Sequence, residues 1–168
     1  MNTDSLRAPG RGVLLQEAVS RRVLRAFFDV YNGLGRGFLE SAHAGAFAIA
    51  CGDAGLRVAC EVGVPVCFRG RVAGEYRADA IVEDVVLVEF KVARAIDPIH
   101  VAQVMNYLRA TRFEVGMLLN FGPKPEFRRV ILENCLKSIR VDPRRSAVPP
   151  AEHQAPPALD ASTPPAPR

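Results

Sequence analysis

The sequence lacks several features that would assign it to a class at once. No apolar run approaches the roughly 18 residues needed to cross a bilayer, so no membrane-spanning helix is expected and no membrane partner. The opening stretch "MNTDSLRAPGRG" has no apolar core, so a secretion signal is not expected either. None of the four cysteines, Cys51, Cys60, Cys67 and Cys135, forms a C-x-x-C pair, which argues against a zinc or iron–sulfur site. They read instead as reduced, mostly buried thiols of a cytosolic, cytoplasmic protein. Tryptophan is absent. There is no internal repeat, no helix-turn-helix signature and no zinc finger.

What remains is a chain of 168 residues with high aliphatic content, long enough for one domain with a sizeable core. Its formal net charge of +4 permits a polyanionic partner without demanding one. Residues 1–12 have no periodicity and are expected to be a flexible N-terminus. A folded domain is expected over 13–141, and from residue 142 the Pro- and Ala-rich composition predicts a disordered tail.

Within that domain, Leu15, Val19, Val23, Phe27 and Val30 recur at helical spacing over 13–31. "NGLGRG" (32–37) is a break, and a second helix is expected from about Phe38 to Ala50, stopping near "CGDAG". The β-rich stretch 56–68 contains Pro65, which predicts an edge strand or a bend. Residues 73–82 and 85–93 read as a hairpin about Glu83 and Asp84. Asp97 followed by Pro98 is a helix start, with that helix reaching about Ala110. Residues 113–121 form a further strand, and 125–139 fit a strand or a helix. The order predicts an α/β fold, a central mixed β-sheet flanked by helices.

The strand "VEFKVA" (88–93) poses the chemical question. Glu89 and Lys91 lie two residues apart and so on one face, in a run apolar enough to be buried. Burying charges is expensive unless they pair, bind a metal or line a site. Asp79 on the preceding strand joins them only in one register. A two-residue turn pairs Val82 with Val85 and sets Asp79 against Val88. A three-residue loop or one bulge sets Asp79 opposite Glu89, and that register is the expectation. Two carboxylates with a backbone carbonyl are a hard oxygen site suited to Mg²⁺, and a nearby lysine can position water or stabilise charge on a phosphate. The plainer alternative is a salt-bridged strand pair on a solvated sheet face.

Two further segments bear on that choice. In "HVAQVMNYL", Gln103 and Tyr107 stand at i and i+4 on one helical face, with His100 on the same side. Glu40, in "GRGFLESAH", falls in the first turn of the second helix, where a carboxylate is favoured by the helix dipole. Taken alone, each has an ordinary structural explanation: a solvated helix face and a capping interaction.

Together, "GLGRGFLESAH", residues 55–93, "HVAQVMNYLRAT" and "FEVGMLLNFG" resemble the small bacterial GxxExxY family within the PD-(D/E)XK nuclease superfamily. The resemblance implies a restriction-endonuclease-like core and a metal-dependent nuclease using Mg²⁺ or Mn²⁺ on nucleic acid, with DNA favoured. It implies that Asp79, Glu89 and Lys91 are the D…ExK set, with the Phe90 carbonyl as an extra metal ligand. Gln103 and Tyr107 match the RecB-like Q-x-x-x-Y motif, and Glu40 matches the glutamate of Gly37-x-x-Glu40. The family's last motif position, usually Tyr, is His43 here, and Tyr31 stands before Asn32 where His is usual. Arg36 stands where Pro is usual. Exchange of the two rings within one supporting cluster would account for the His43 and Tyr31 departures. Arg77, Arg94 and Arg109 are candidate phosphate contacts, alongside Arg69, Arg71, Arg112, Arg128 and Arg129. The alternatives are a catalytically inactive nucleic-acid-binding module on the same fold and an interaction protein using its proline-rich tail. A lone nuclease core also leaves room for a homodimer or a partner protein in substrate choice.

Overall fold

The computed structural model describes residues 16–137. The expected N-terminal lead-in and the Pro/Ala-rich tail lie outside the described residues. Helix α1 spans Glu17–Leu34 and buries Ser20, Val23, Ala26, Phe27 and Val30, the stripe that the 3.6-residue spacing predicts. It runs past the expected break at Asn32 and ends at Gly35, whose φ of 77° is a left-handed conformation that glycine adopts without a Cβ clash. The Gly35 amide donates to the Tyr31 carbonyl at 3.1 Å. Helix α2 spans Glu40–Asp53 and buries His43, Phe47 and Cys51, a one-sided i, i+4, i+8 row.

Five strands follow: β1 Val58–Phe68, β2 Arg71–Val82, β3 Val86–Lys91, β4 Val115–Phe121 and β5 Pro125–Ile131, in spatial order β1-β2-β3-β4-β5. Only the β3–β4 pairing is parallel, and the crossover between these strands is helix α3, Pro98–Ala110. The fold is thus α/β with a mixed sheet, as the element order predicts. β1 is the edge strand suggested by Pro65, with a register shift between Val66 and Cys67. The ambiguous stretch after 125 is β5 followed by a short 3₁₀ turn, Asn134–Leu136. Helices α1 and α2 cover one sheet face through Val23, Phe27, Phe47, Val88, Phe90 and Phe121. Helix α3 covers the other through Val104 and Leu108 on Ile81, Leu87 and Leu118. Strand β4 is buried along its whole length, as a strand covered on both faces must be.

Helix α3 starts as the sequence predicts. The Asp97 side chain accepts from the Ile99 amide at 3.0 Å, and the His100 Nδ1 accepts from the Asp97 amide at 3.1 Å. This is a capping box built with histidine. The cysteines depart from expectation: Cys51 is buried, but Cys60 and Cys135 are exposed, because β1 is an edge strand and Cys135 lies in the terminal 3₁₀ turn. Among the described residues all four are free thiols, and no helix is long and apolar enough to cross a membrane.

The β2–β3 hairpin has the three-residue loop. Ala80 pairs with Val88, Ile81 with Leu87 and Val82 with Val86, which carries Asp79 to the level of Glu89. Glu83 and Asp84 both take left-handed backbone, φ 52° and 57°, uncommon outside glycine. Both are held by arginines. The Glu83 carboxylate accepts from the Arg57 amide at 2.8 Å and from its guanidinium at 2.9 and 3.2 Å. The Glu83 amide returns a bond to the Arg57 carbonyl at 2.9 Å. Asp84 pairs with Arg112. Accepting the Arg57 amide and then its guanidinium bonds holds the Glu83 carboxyl below the usual glutamate range.

Glu83→Ala is therefore expected to destabilise the fold by about 1–2 kcal/mol at pH 7 in urea denaturation, the size of a lost set of charge-assisted bonds. A carboxylate with a depressed folded pKa contributes stability above its unfolded value, and loses it as pH falls through the folded one. The gap between wild type and variant should thus close as the pH drops below the ordinary glutamate range, and persist at pH 7.

Candidate active site

β2 and β3 pair only from Ala80 to Val82 on the β2 side. Beyond that point β2 continues with β1, while β3 continues beside β4. Asp79 reaches across this division: its Oδ2 accepts from the Phe90 amide at 2.7 Å. Glu89 is 2% exposed. Its Oε1 accepts from Lys91 Nζ at 2.7 Å and from Gln103 Nε2 at 2.6 Å. Its Oε2 is buried without a hydrogen-bond partner among the described residues. Gln103 Nε2 also donates to the Tyr107 hydroxyl at 2.8 Å, and that hydroxyl donates to the Arg77 carbonyl at 3.1 Å. Both Gln103 amide protons are thus spent inside the protein. A relay of donors from β2 through α3 fixes the rotamer of Glu89.

The charges do not balance. Glu40, in the first turn of α2, is within electrostatic reach of Lys91, Asp79 and His100. Three carboxylates therefore share one ammonium. Burial, followed by the charges of Asp79 and Glu40 against the Lys91 bond, pushes the Glu89 carboxyl up to about 7. Burial also raises Asp79, against the Phe90 amide and Lys91, and raises Glu40, against Lys91 and the Val92 amide. Burial alone would lower Lys91, but its bond to Glu89 and the surrounding carboxylates carry it above the usual lysine value. Burial raises the Tyr107 phenol as well. Excess negative charge and a buried orphan oxygen are what a divalent cation would relieve. Among the described residues no three His, Cys, Asp or Glu side chains form a ready-made metal cage.

His43 and Tyr31 lie to one side of this cluster, at the end of β4. The His43 ring is fully buried and stacks on Phe121 with centroids 4.2 Å apart and planes 7° from parallel. Neither ring nitrogen has a hydrogen-bond partner among the described residues, and burial lowers the His43 pKa. The Tyr31 hydroxyl donates to the Pro123 carbonyl at 3.0 Å, with the Gly122 carbonyl at 3.2 Å. The two rings share the Phe121–Pro123 segment, though no ring contact joins them among the described residues. His100 caps α3, as described above. Arg77 pairs with Glu61 at 2.9 Å and Arg109 donates to Asn106 at 3.0 Å. Arg94 is exposed in the turn after β3, with no ion-pair partner among the described residues.

Sequence reasoning passed over Asn120. It is fully buried and is the parallel cross-strand partner of Lys91. Its Oδ1 accepts from the Ala93 amide at 2.9 Å and its Nδ2 donates to the Ala93 carbonyl at 3.0 Å. This two-pronged clamp fixes the chain two residues beyond Lys91. Gly122 completes it, since a Cβ there would lie 1.9 Å from the Ala93 carbonyl oxygen. The signal was present, a single polar residue in the apolar run "GMLLNF", the same kind of anomaly as Glu89 and Lys91.

A protein-family model described as the PD-(D/E)XK nuclease superfamily matches residues 17–130, most of the chain. Among curated proteins no match is found. Among solved structures, the crystal structure of SSO0001 is similar at 19% identity and a TM-score of 0.44. The match covers 70% of this chain and 59% of that one.

Two outcomes follow from the geometry. Asn120→Ala removes both partners of the half-buried Ala93 amide and carbonyl and should cost about 1–3 kcal/mol in urea denaturation. Glu89→Gln should have the opposite sign in the presence of a chelator. A carboxyl whose folded pKa is raised to about 7 weakens the fold as pH climbs from the unfolded value through the folded one. The amide variant is thus expected to be more stable by about 1–3 kcal/mol at pH 8, with the difference shrinking as pH falls through about 7 and vanishing only below the ordinary glutamate range.

Proposed function

Because the chain belongs to the PD-(D/E)XK nuclease superfamily, whose members generally use divalent metals on nucleic acid, we propose that it is a Mg²⁺-dependent nuclease acting on DNA. The observation that carries this reading is the convergence on one buried carboxylate: Glu89 holds Lys91 and Gln103 with one oxygen and offers the other, unpartnered, beside Asp79. Asp79 and Glu89 are the side chains that would hold the ion, with the Phe90 carbonyl and Glu40 completing the oxygen set. The ion, when bound, supplies Lewis-acid polarisation of the phosphodiester and a lowered pKa for its water.

The remaining steps belong to the chain itself. Lys91 keeps two ammonium protons beyond the one given to Glu89, and these orient an attacking water and meet the negative charge that grows on the phosphate oxygens. Gln103 and Tyr107 act one step back, as positioning residues: their protons are committed to Glu89 and to the Arg77 carbonyl, so they aim the carboxylate rather than grip the strand. The clamp from Asn120 to Ala93 fixes the β3 exit beneath Lys91. His43 packs the core behind Glu40, three residues along α2. The run Gly37-x-x-Glu40-x-x-His43 supports assignment to the GxxExxY group, with histidine in place of the usual tyrosine.

The test is cleavage of end-labelled single- and double-stranded DNA with Mg²⁺ or Mn²⁺. Activity should disappear with a chelator and fall by at least about a hundredfold in Lys91→Ala. Gln103→Ala should fall less and be partly restored by Gln103→Glu only at acid pH, where the new carboxyl is protonated. Metal binding that depends on Asp79 and Glu89, with no cleavage of DNA or RNA, would favour the inactive binding module instead.

A further inference from the structure

Strand β2 does more than deliver Asp79. From Val62–Ala78 to Phe68–Arg71, seven residue pairs of β1 and β2 extend past the last pairing with β3, a ribbon of about 20 Å at roughly 3.3 Å per residue. Its base is anchored beside the acidic cluster. Val64 and Ala78 are buried against α3, and the Tyr76 ring lies 5.7 Å from that of Tyr107. Arg77, two residues from Asp79, gives its carbonyl to the Tyr107 hydroxyl.

The tip is different. Phe68 and Val72 are 64% and 55% exposed, and residues 69–77 are exposed throughout. Arg69 and Gly70, at φ 50° and 76°, make the tight turn. From Phe68 to Gly74 the only charges are those of Arg69 and Arg71. Neither has a carboxylate partner among the described residues, whereas Arg57, Arg77 and Arg112 each do. The Arg69 guanidinium rests over the Phe68 ring at 5.1 Å, which holds it at the end of the ribbon. The shift between Val66 and Cys67 adds local twist just before the tip.

We propose that this ribbon is a DNA-reading arm that enters the major groove of a B-form duplex, with Arg69 and Arg71 contacting phosphates and base edges, alongside the strand delivered to Asp79 and Glu89. A two-stranded ribbon fits the B-form major groove, whereas the deep, narrow major groove of an A-form RNA helix excludes it. The un-neutralised positive tip is complementary to a polyanion. That the polyanion is a nucleic acid rests on the nuclease reading above, and the arm narrows that reading to double-stranded DNA.

Fluorescence anisotropy of the full chain, in chelator so that no cleavage intervenes, tests the arm. The probes are a short labelled DNA duplex, one of its strands alone, and the RNA duplex of the same sequence. The variant is Arg69→Asn with Arg71→Gln, because asparagine tolerates the left-handed backbone at 69. It should bind duplex DNA at least about tenfold more weakly, with a salt slope lower by about two. Binding of the single strand and the RNA duplex should be unchanged. Arg69→Lys with Arg71→Lys should restore the salt slope but not the full affinity, since lysine cannot contact a base edge in the bidentate way arginine does. Equal duplex affinity in wild type and variant, or equal losses on all three probes, would overturn the proposal. So would a change of sedimentation with DNA binding intact, which would assign the tip to a second copy of the chain. Cleavage by Lys91→Ala separates the two readings. Undiminished cleavage in that variant removes the chemistry assigned to Lys91 and leaves the arm standing, while unaltered duplex binding by the tip variant removes only the arm.

Discussion

The pairing of Val82 with Val86 decides where the acidic side chains of the central hairpin point. Side chains alternate along a strand, so a one-residue slip would turn Asp79 away from Glu89 and leave two separate charges in a nearly closed interior. The loop that prevents the slip contains two non-glycine residues in left-handed backbone, a conformation with an intrinsic cost. Glu83 and Asp84 tolerate it because each side chain is tied to an arginine from another element, Arg57 ahead of β1 and Arg112 after α3. The site is thus set from the opposite end of the strands. Surface ion pairs are ordinarily worth little. These gain importance because one is multiply hydrogen-bonded and both restrain the turn that fixes the register.

The acidic cluster costs the fold stability. Three carboxylates around one ammonium, one of them 2% exposed with an oxygen unpartnered, is an arrangement that folding alone would remove. The chain surrounds this liability with fixed supports. The relay from the Arg77 carbonyl through Tyr107 and Gln103 holds Glu89 from the α3 side. Asn120 holds the β3 exit from the β4 side. The Phe90 amide holds Asp79. Asp79 and Glu89 are thus oriented in the folded state by bonds from other elements.

How much of this was legible depended on whether the cause was local. The start of α3 was readable because Asp97 and Pro98 are a short-range signal. The buried face of α1 was readable from its spacing. The register of Asp79 against Glu89 followed from a parity argument on residues 79–89, which left a three-residue loop and a bulge as equal ways to reach it. The end of α1 was misplaced by three residues because the chain has several glycines there, and packing decides which one stops the helix. β5 was ambiguous because "PEFRRVI" becomes a strand through pairing with β4, a contact that the segment's own pattern does not specify. Gln103 and Tyr107 were found by their i, i+4 spacing, but their direction was not: that both amide protons of Gln103 turn inward depends on where β2 and β3 diverge. Asn120 escaped for a related reason, since its partner, Ala93, is 27 residues away. An isolated polar residue in an apolar strand was read as a chemical signal in "VEFKVA" and deserved the same reading in "GMLLNF".

One strand, β2, links the acidic cluster to the exposed ribbon, and this bears on how the two would work together. Asp79 and Arg77 are two residues apart, and the carbonyl of Arg77 is the anchor of the relay that aims Glu89. A displacement of the ribbon relative to α3 would therefore act on the Tyr107 hydroxyl first, then on Gln103, and through it on the buried carboxylate. The packing of Tyr76 on Tyr107 makes the base of the ribbon and the relay one mechanical unit. Tip and base differ in this respect. The tip is exposed and carries un-neutralised charge, whereas the base is packed through Val64, Ala78 and the tyrosine pair.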